Sequence, residues 1–172
     1  MNAWWYAPIA IGAVLLVAVV LVFNRMILLR NRVKRAWKDI DVQLKMRHQL
    51  IPLLVSTTEG YAVHEEQTLE EVTRTRAEAE AASGVKEKGY RELSLAGALS
   101  ELFLLRERYP ELKADINFER LFGELVAVEN RLAAARKYYN GAVRIYNTFV
   151  ESFPQLVLAR LFFFRTAEYF QS

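Results

Sequence analysis

Cysteine is missing from all 172 residues. That excludes a disulfide framework, a thiol nucleophile and a thiolate metal site. Proline (4) and glycine (7) are scarce, and a chain with so little turn punctuation runs in long elements. Ala, Leu, Glu, Arg and Val abound instead, a mix that favours helix. A glycine-rich phosphate loop and a serine elbow are both lacking. "HEEQT" at 64–68 has no second histidine, so it is not the metalloprotease helix pattern. The two histidines, His48 and His64, would stand roughly 24 Å apart on a straight helix and cannot share a metal within one chain. Glu65, Glu66, Glu70 and Glu71 form an acidic cluster that reads as a solvated face, with a divalent-cation site as the lesser alternative. No spacing singles out a carboxylate pair for acid–base work.

Charge is also missing from the first 24 residues, and "IAIGAVLLVAVVLVF" (9–23) is apolar throughout. A helix from Trp4 to Phe23 would be about 30 Å long, the thickness of a bilayer's hydrocarbon core. Trp4, Trp5 and Tyr6 stand at one end, where amphipathic rings prefer the interface. At the other end, residues 25–47 hold eight basic groups, among them Arg25, Arg30, Arg32, Lys34 and Arg35, against two acidic ones. Nothing basic precedes the run and no Ala-x-Ala site follows it, so an uncleaved single-pass anchor is expected rather than a signal peptide. The one-sided cations place the N-terminus outside and residues from 25 onward in the cytoplasm of an inner membrane. With its basic residues beside the bilayer and an acidic remainder, the chain is a poor nucleic-acid binder.

Beyond the anchor the apolar spacing alternates three and four. Val33, Trp37, Ile40, Leu44, Ile51, Val55, Thr58, Ala62, Leu69 and Val72 predict one long amphipathic helix, kinked at Pro52, that ends in "AASGVKEKGY" (81–90). A shorter helix is expected over 91–108, with Leu93, Ala96, Ser100 and Phe103 inward. Residues 109–117 form a connection, and Asn117 is the expected N-cap of the next helix. That helix has the cleanest period, running from Phe118 through Leu121, Leu125, Val128, Leu132, Ala135, Tyr139, Ala142, Tyr146 and Phe149 to Phe153, with Pro154 as its stop. Leu125, Leu132, Tyr139 and Tyr146 mark its packing seam. The repeated Tyr139-Asn140 and Tyr146-Asn147 read as products of a heptad, their hydroxyls reaching a wet edge. The fold class expected is all-α: a transmembrane helix continuing into an antiparallel bundle of three long helices and a short C-terminal one. The division expected is an anchor at 1–28 and a cytoplasmic bundle at 29–172.

The tail after Pro154 is unusually apolar. Leu156, Leu161, Phe162, Phe163 and Phe164 must find a surface, on the bundle, on a partner or in the bilayer. Apolar positions surround this short helix, with only Arg160 and Arg165 interrupting, which favours docking on protein.

Two blocks resemble the LemA family of bacterial membrane proteins. The first is "RNRVKRAWKDIDVQLKMRHQLIPLLVSTTEGYAVHEEQTLEEVTRTRAEA" (30–79). The second is "YPELKADINFERLFGELVAVENRLAAARKYYNGAVRIYNTFVESFP" (109–154). The family usually has Asn after Leu-Ile-Pro and a Ser-Asn-type pair after Ser-Phe-Pro; here Leu53 and Gln155-Leu156 stand in those places. The resemblance implies an N-terminal transmembrane helix, a helical bundle outside the bilayer, and no settled enzymatic activity; from the residues themselves no cofactor or metal is expected. It associates relatives with membrane organisation, magnetosome formation and membrane proteases. The function expected is therefore a non-catalytic, membrane-anchored scaffold or adaptor. Its partners would be the bilayer, copies of itself or other membrane proteins. A regulatory subunit of a membrane protease or transporter is the alternative, and a metal-dependent or hydrolytic enzyme the third reading.

Overall fold

The computed structural model describes residues 6–62 and 64–170. Among the described residues six helices follow one another: α1 (Tyr6–Glu59), α2 (Glu66–Ala81), α3 (Val85–Arg108), α4 (Pro110–Ala114), α5 (Ile116–Glu151) and α6 (Gln155–Leu161). The described residues contain no strand. They form two compact units, through both of which α1 and α5 run. One takes in the chain up to Ala36 with Gly141–Ala167; the other takes in Trp37–Asn140 and the residues from Glu168.

The expected long helix from Val33 to the 81–90 turn is corrected, because α1 stops at Glu59 and α2 starts at Glu66. The N–H groups of Tyr61 and Ala62 both return to the Thr58 carbonyl, each at 2.9 Å. Gly60, the weakest helix former nearby, sits at the break. Pro52 lies inside α1. It has no N–H to give the carbonyl of His48 four residues earlier, and Arg76 Nε of α2 donates to that carbonyl instead, at 3.0 Å.

Two further expectations are corrected. On α3 the buried face is Gly89, Glu92, Leu95, Ala98, Leu99, Leu102 and Leu105, whereas Leu93 and Ser100 are exposed. Apolar residues lie almost all round this helix, so periodicity does not fix its phase. The cap of α5 is Asp115 rather than Asn117: its Oδ1 accepts the Phe118 N–H at 2.8 Å. Its Oδ2 accepts the Tyr61 hydroxyl, also at 2.8 Å.

In the second unit Ile51, Leu54, Val72, Leu95, Leu102, Leu112, Phe118 and Leu125 share one core. In the first unit Met26, Leu29, Val33, Val143, Tyr146, Val150 and Ala159 are buried. Along α5 the buried residues step from Phe118 through Leu121, Leu125, Val128, Leu132, Tyr139 and Ala142 to Tyr146. Phe153, expected at the end of that row, is exposed beyond the helix. Leu132 is fully buried, so Leu132→Ala should cost about 2–5 kcal/mol of stability in chemical denaturation. Tyr146→Phe keeps the ring and should cost only about 0.5–1.5 kcal/mol, the worth of one hydrogen bond.

Candidate functional site

Two polar constellations are built into the helices. The first lies in the second unit. Arg47 and Glu92 are both completely buried. A buried charge persists only when paired and hydrogen-bonded, and these are. Arg47 Nη1 donates to Glu92 Oε2 at 2.7 Å, and His48 Nε2 donates to Glu92 Oε1 at 2.8 Å. Arg47 Nε stands 2.6 Å from Glu129 Oε1 of α5, an ion contact bent away from hydrogen-bond alignment. Arg136 of α5 lies nearby, its guanidinium pushed below its ordinary value by burial and by the Arg47 charge. One carboxylate from α3 thus receives two adjacent residues of α1, while α5 supplies the counter-charge on the other side.

A small cleft opens beside this network, lined by Asp41, His48, Arg76, Lys88 and Glu92 among others, with a volume of about 170 Å³. Partial burial raises the Asp41 carboxyl, but Lys45 and Lys88 outweigh it and hold the group below its usual range. Ligand pockets generally run from roughly 300 Å³ upward. Both Glu92 oxygens and His48 Nε2 are already engaged inside the protein, so the arrangement ties three helices together rather than presenting a free base to a substrate.

The second constellation uses the two Tyr-Asn pairs of α5. In the first unit Tyr146 Oη donates to the Arg165 carbonyl at 2.8 Å. Asn147 Nδ2 donates to the Ala167 carbonyl at 2.9 Å, and the Ala167 N–H donates back to Asn147 Oδ1 at 2.8 Å. In the second unit Tyr139 Oη donates to the Glu168 carbonyl at 2.8 Å. Asn140 Nδ2 donates to the Phe170 carbonyl at 3.0 Å, and the Phe170 N–H donates to Asn140 Oδ1 at 2.9 Å. The Phe170 ring is buried beside Trp37, 5.6 Å between centroids, with the Arg136 guanidinium 5.4 Å from its centre.

The hydroxyls do not reach a wet edge as expected. Irregular chain needs partners for its backbone groups, and these side chains supply them. The pair recurs after seven positions on α5, and the residues it holds recur after three on the tail.

Burial, with the Glu168 carboxylate adding to it, pushes the Tyr139 hydroxyl up to about 12. Burial also raises Tyr146, partly offset by Arg30. A phenolate cannot donate to a carbonyl. The stability these groups contribute is complete below the unfolded tyrosine value of about 10 and is lost as pH rises from there through the folded value. Alkaline titration followed at 295 nm should therefore show late-ionising tyrosines coincident with loss of the tail, and Tyr139→Phe should remove its share of that dependence.

A model of the LemA family matches residues 36–172. The chain belongs to the LemA family. It is also similar to Magnetosome protein MamQ 2 and Magnetosome protein MamQ 1 of Paramagnetospirillum magneticum. Each is 35% identical over 74 residues, covering 43% of this chain and 27% of the relative. Magnetosome protein MamQ of Magnetospirillum gryphiswaldense is 30% identical over 73 residues, 42% of this chain and 27% of its own length. The chain thus spans about a quarter of the length of these curated relatives.

In this LemA-family chain the residues singled out from sequence fall in several places. Trp4 and Trp5 lie outside the described residues; Tyr6 begins α1 and is exposed. Arg25, Arg30, Lys34 and Arg35 are exposed on α1, and Arg32 is half-buried. Leu125, Leu132, Tyr139 and Tyr146 are buried. Leu161, Phe162 and Phe163 are exposed, while Leu156 and Phe164 are half-buried. The acidic cluster divides: Glu65 pairs with Arg108 at 2.7 Å and Glu71 with Arg74 at 2.6 Å, while Glu66 and Glu70 line an open groove. Among the described residues, no group of three or more His, Asp or Glu is placed to hold a metal ion. Arg47, which the sequence counts with the basic cluster, is instead an interior residue. The signal for it is a missing step in the α1 stripe, between Leu44 and Ile51, where Arg47 and His48 stand.

Proposed function

We propose that this LemA-family protein is a single-pass, membrane-anchored helical scaffold, non-catalytic, whose bundle organises partner proteins or copies of itself on the cytoplasmic side. One observation carries the reading. The N-terminal part of α1 is apolar over a stretch long enough to cross a bilayer, and none of that stretch is buried within the protein. Ile9, Val14, Leu16 and Leu21 are all exposed. A run of that length with nothing covering it is at home in hydrocarbon. The cations that follow favour a cytoplasmic bundle.

The pairing of Trp37 with Tyr139, Gln43 with Arg131 and Arg47 with Glu129 supports an antiparallel course for α1 and α5. The family, and the likeness to proteins named for the magnetosome, point to a membrane-associated, non-catalytic protein. An apolar groove of about 410 Å³ on the second unit, with Met46, Leu50, Leu53 and Val128 in its wall, supports a protein-facing role. Purification of the full chain in mild detergent tests this. A scaffold elutes as a large self-assembly. Recovery in a fixed ratio with one protease or transporter would favour the regulatory-subunit reading, and a monomer without companions would contradict both.

A further inference from the structure

The first unit, taken alone, leaves one apolar row uncovered at the C-terminal side of the chain. Phe153 (83% exposed), Val157 (59%) and Leu161 (64%) recur every four residues, and Phe163 (87%) extends the row. The opposite side of α6 is occupied: Ala159 is buried, and Leu156, Leu158 and Phe164 are half-buried. The segment is therefore two-faced, not apolar all round as its sequence suggests, and its docked face leaves the other unsatisfied. Burying each such side chain is worth ~1.5–3 kcal/mol, so the row is costly to leave in water. Phe163 also holds a left-handed backbone, φ +57°, rare for a bulky residue.

What covers the row follows from its neighbours. The Phe162 ring packs edge-on against Phe23 at 4.9 Å, and Phe164 against the same ring at 5.8 Å. Phe23 is the last apolar residue before the cations of α1. The Arg30 guanidinium lies 5.9 Å from the Phe164 ring centre. From Ser152 to Ala167 the chain has no acidic residue; its two charges are Arg160 and Arg165, both exposed. Aromatic and aliphatic residues with only the cations Arg160 and Arg165 among them, between Glu151 and Glu168, and in contact with the end of an apolar run, match the boundary between headgroups and acyl chains.

We propose that residues 153–163 are a second membrane contact of this chain. Phe153, Val157, Leu161 and Phe163 dip into the acyl boundary beside the end of the span, and Arg160 and Arg165 meet headgroup phosphates. The proposal rests on the reading of residues up to 28 as a membrane anchor. It assigns the protein a monotopic element in addition to the span, and separates the apolar tail into a membrane-facing row and a terminal stretch held by α5.

The absence of native cysteine permits a direct test. Single cysteines are placed in the full chain at Val17, Phe163 and Ser100, and in a separate variant at Val157. Each is spin-labelled and reconstituted into phosphatidylethanolamine–phosphatidylglycerol vesicles, and collision rates with oxygen and with a nickel chelate are compared. Labels at 163 and 157 are expected to behave like the label at 17, open to oxygen and shielded from nickel, with the label at 100 the reverse. Labels at 163 and 157 exposed to nickel, while that at 17 is shielded, overturn this proposal and leave the anchor standing. Shielding from both reagents means the row is covered by protein and overturns it as well. A label at 17 exposed to nickel overturns the anchor and this proposal together.

Discussion

Glu92→Ala should destabilise the bundle by about 3–5 kcal/mol, as removal of one partner from a buried ion pair generally does. Glu92 accepts both Arg47 and His48 in the protein interior. Its loss leaves a fully buried guanidinium with only the partly exposed Glu129 beside it. The cost is the stranded charge rather than the lost attraction. It follows that the double variant Arg47→Met with Glu92→Leu should recover most of the stability, because packed apolar groups of similar volume replace such pairs with little loss. Urea denaturation of the full chain in detergent, followed by helical circular dichroism, measures both. A single variant as stable as the parent would mean that Glu92 is solvated. A double variant as unstable as the single would mean that the ion network supplies something packing cannot.

Deletion of residues 165–172 should have an effect of the same order, several kcal/mol. Phe170, almost completely buried, contributes ~1.5–3 kcal/mol on its own. Six hydrogen bonds from the Tyr-Asn pairs go with it, each worth about 0.5–1.5 kcal/mol net and not strictly additive. Against a total stability of about 5–15 kcal/mol this is a large share. The grip is on backbone atoms, which sets a second expectation. Thr166→Ala removes only an exposed side chain and should be near neutral. Ala167→Pro removes the N–H that Asn147 holds and should reproduce a substantial part of the deletion. Equal effects of these two substitutions on the melting temperature would contradict a backbone-directed clamp.

Much of this was legible before the structure. A period of three and four sustained along α5 leaves little freedom in which face turns inward, and Leu125, Leu132, Tyr139 and Tyr146 are buried there. The break at Gly60 was hidden because the apolar phase resumes after it, so periodicity alone reads one helix where there are two. The face of α3 was misread because Leu93 and Leu104 make outward sides apolar as well, while Phe103 does pack on the core and the residue that turns inward beside it is the carboxylate Glu92. The role of the asparagines was out of reach for a different reason. Asn140 and Asn147 act on backbone groups twenty or more positions away, in a segment with no periodicity. No local pattern records such a partner.

The most direct test of the account follows the full chain, carrying a C-terminal epitope, through protease treatment of intact spheroplasts, then lysis and carbonate washing of the membranes. An anchor spanning the bilayer with the bundle inside predicts an intact epitope retained in the washed membrane pellet. Release of the epitope into the carbonate supernatant, or its loss to protease before the membrane is breached, would contradict it.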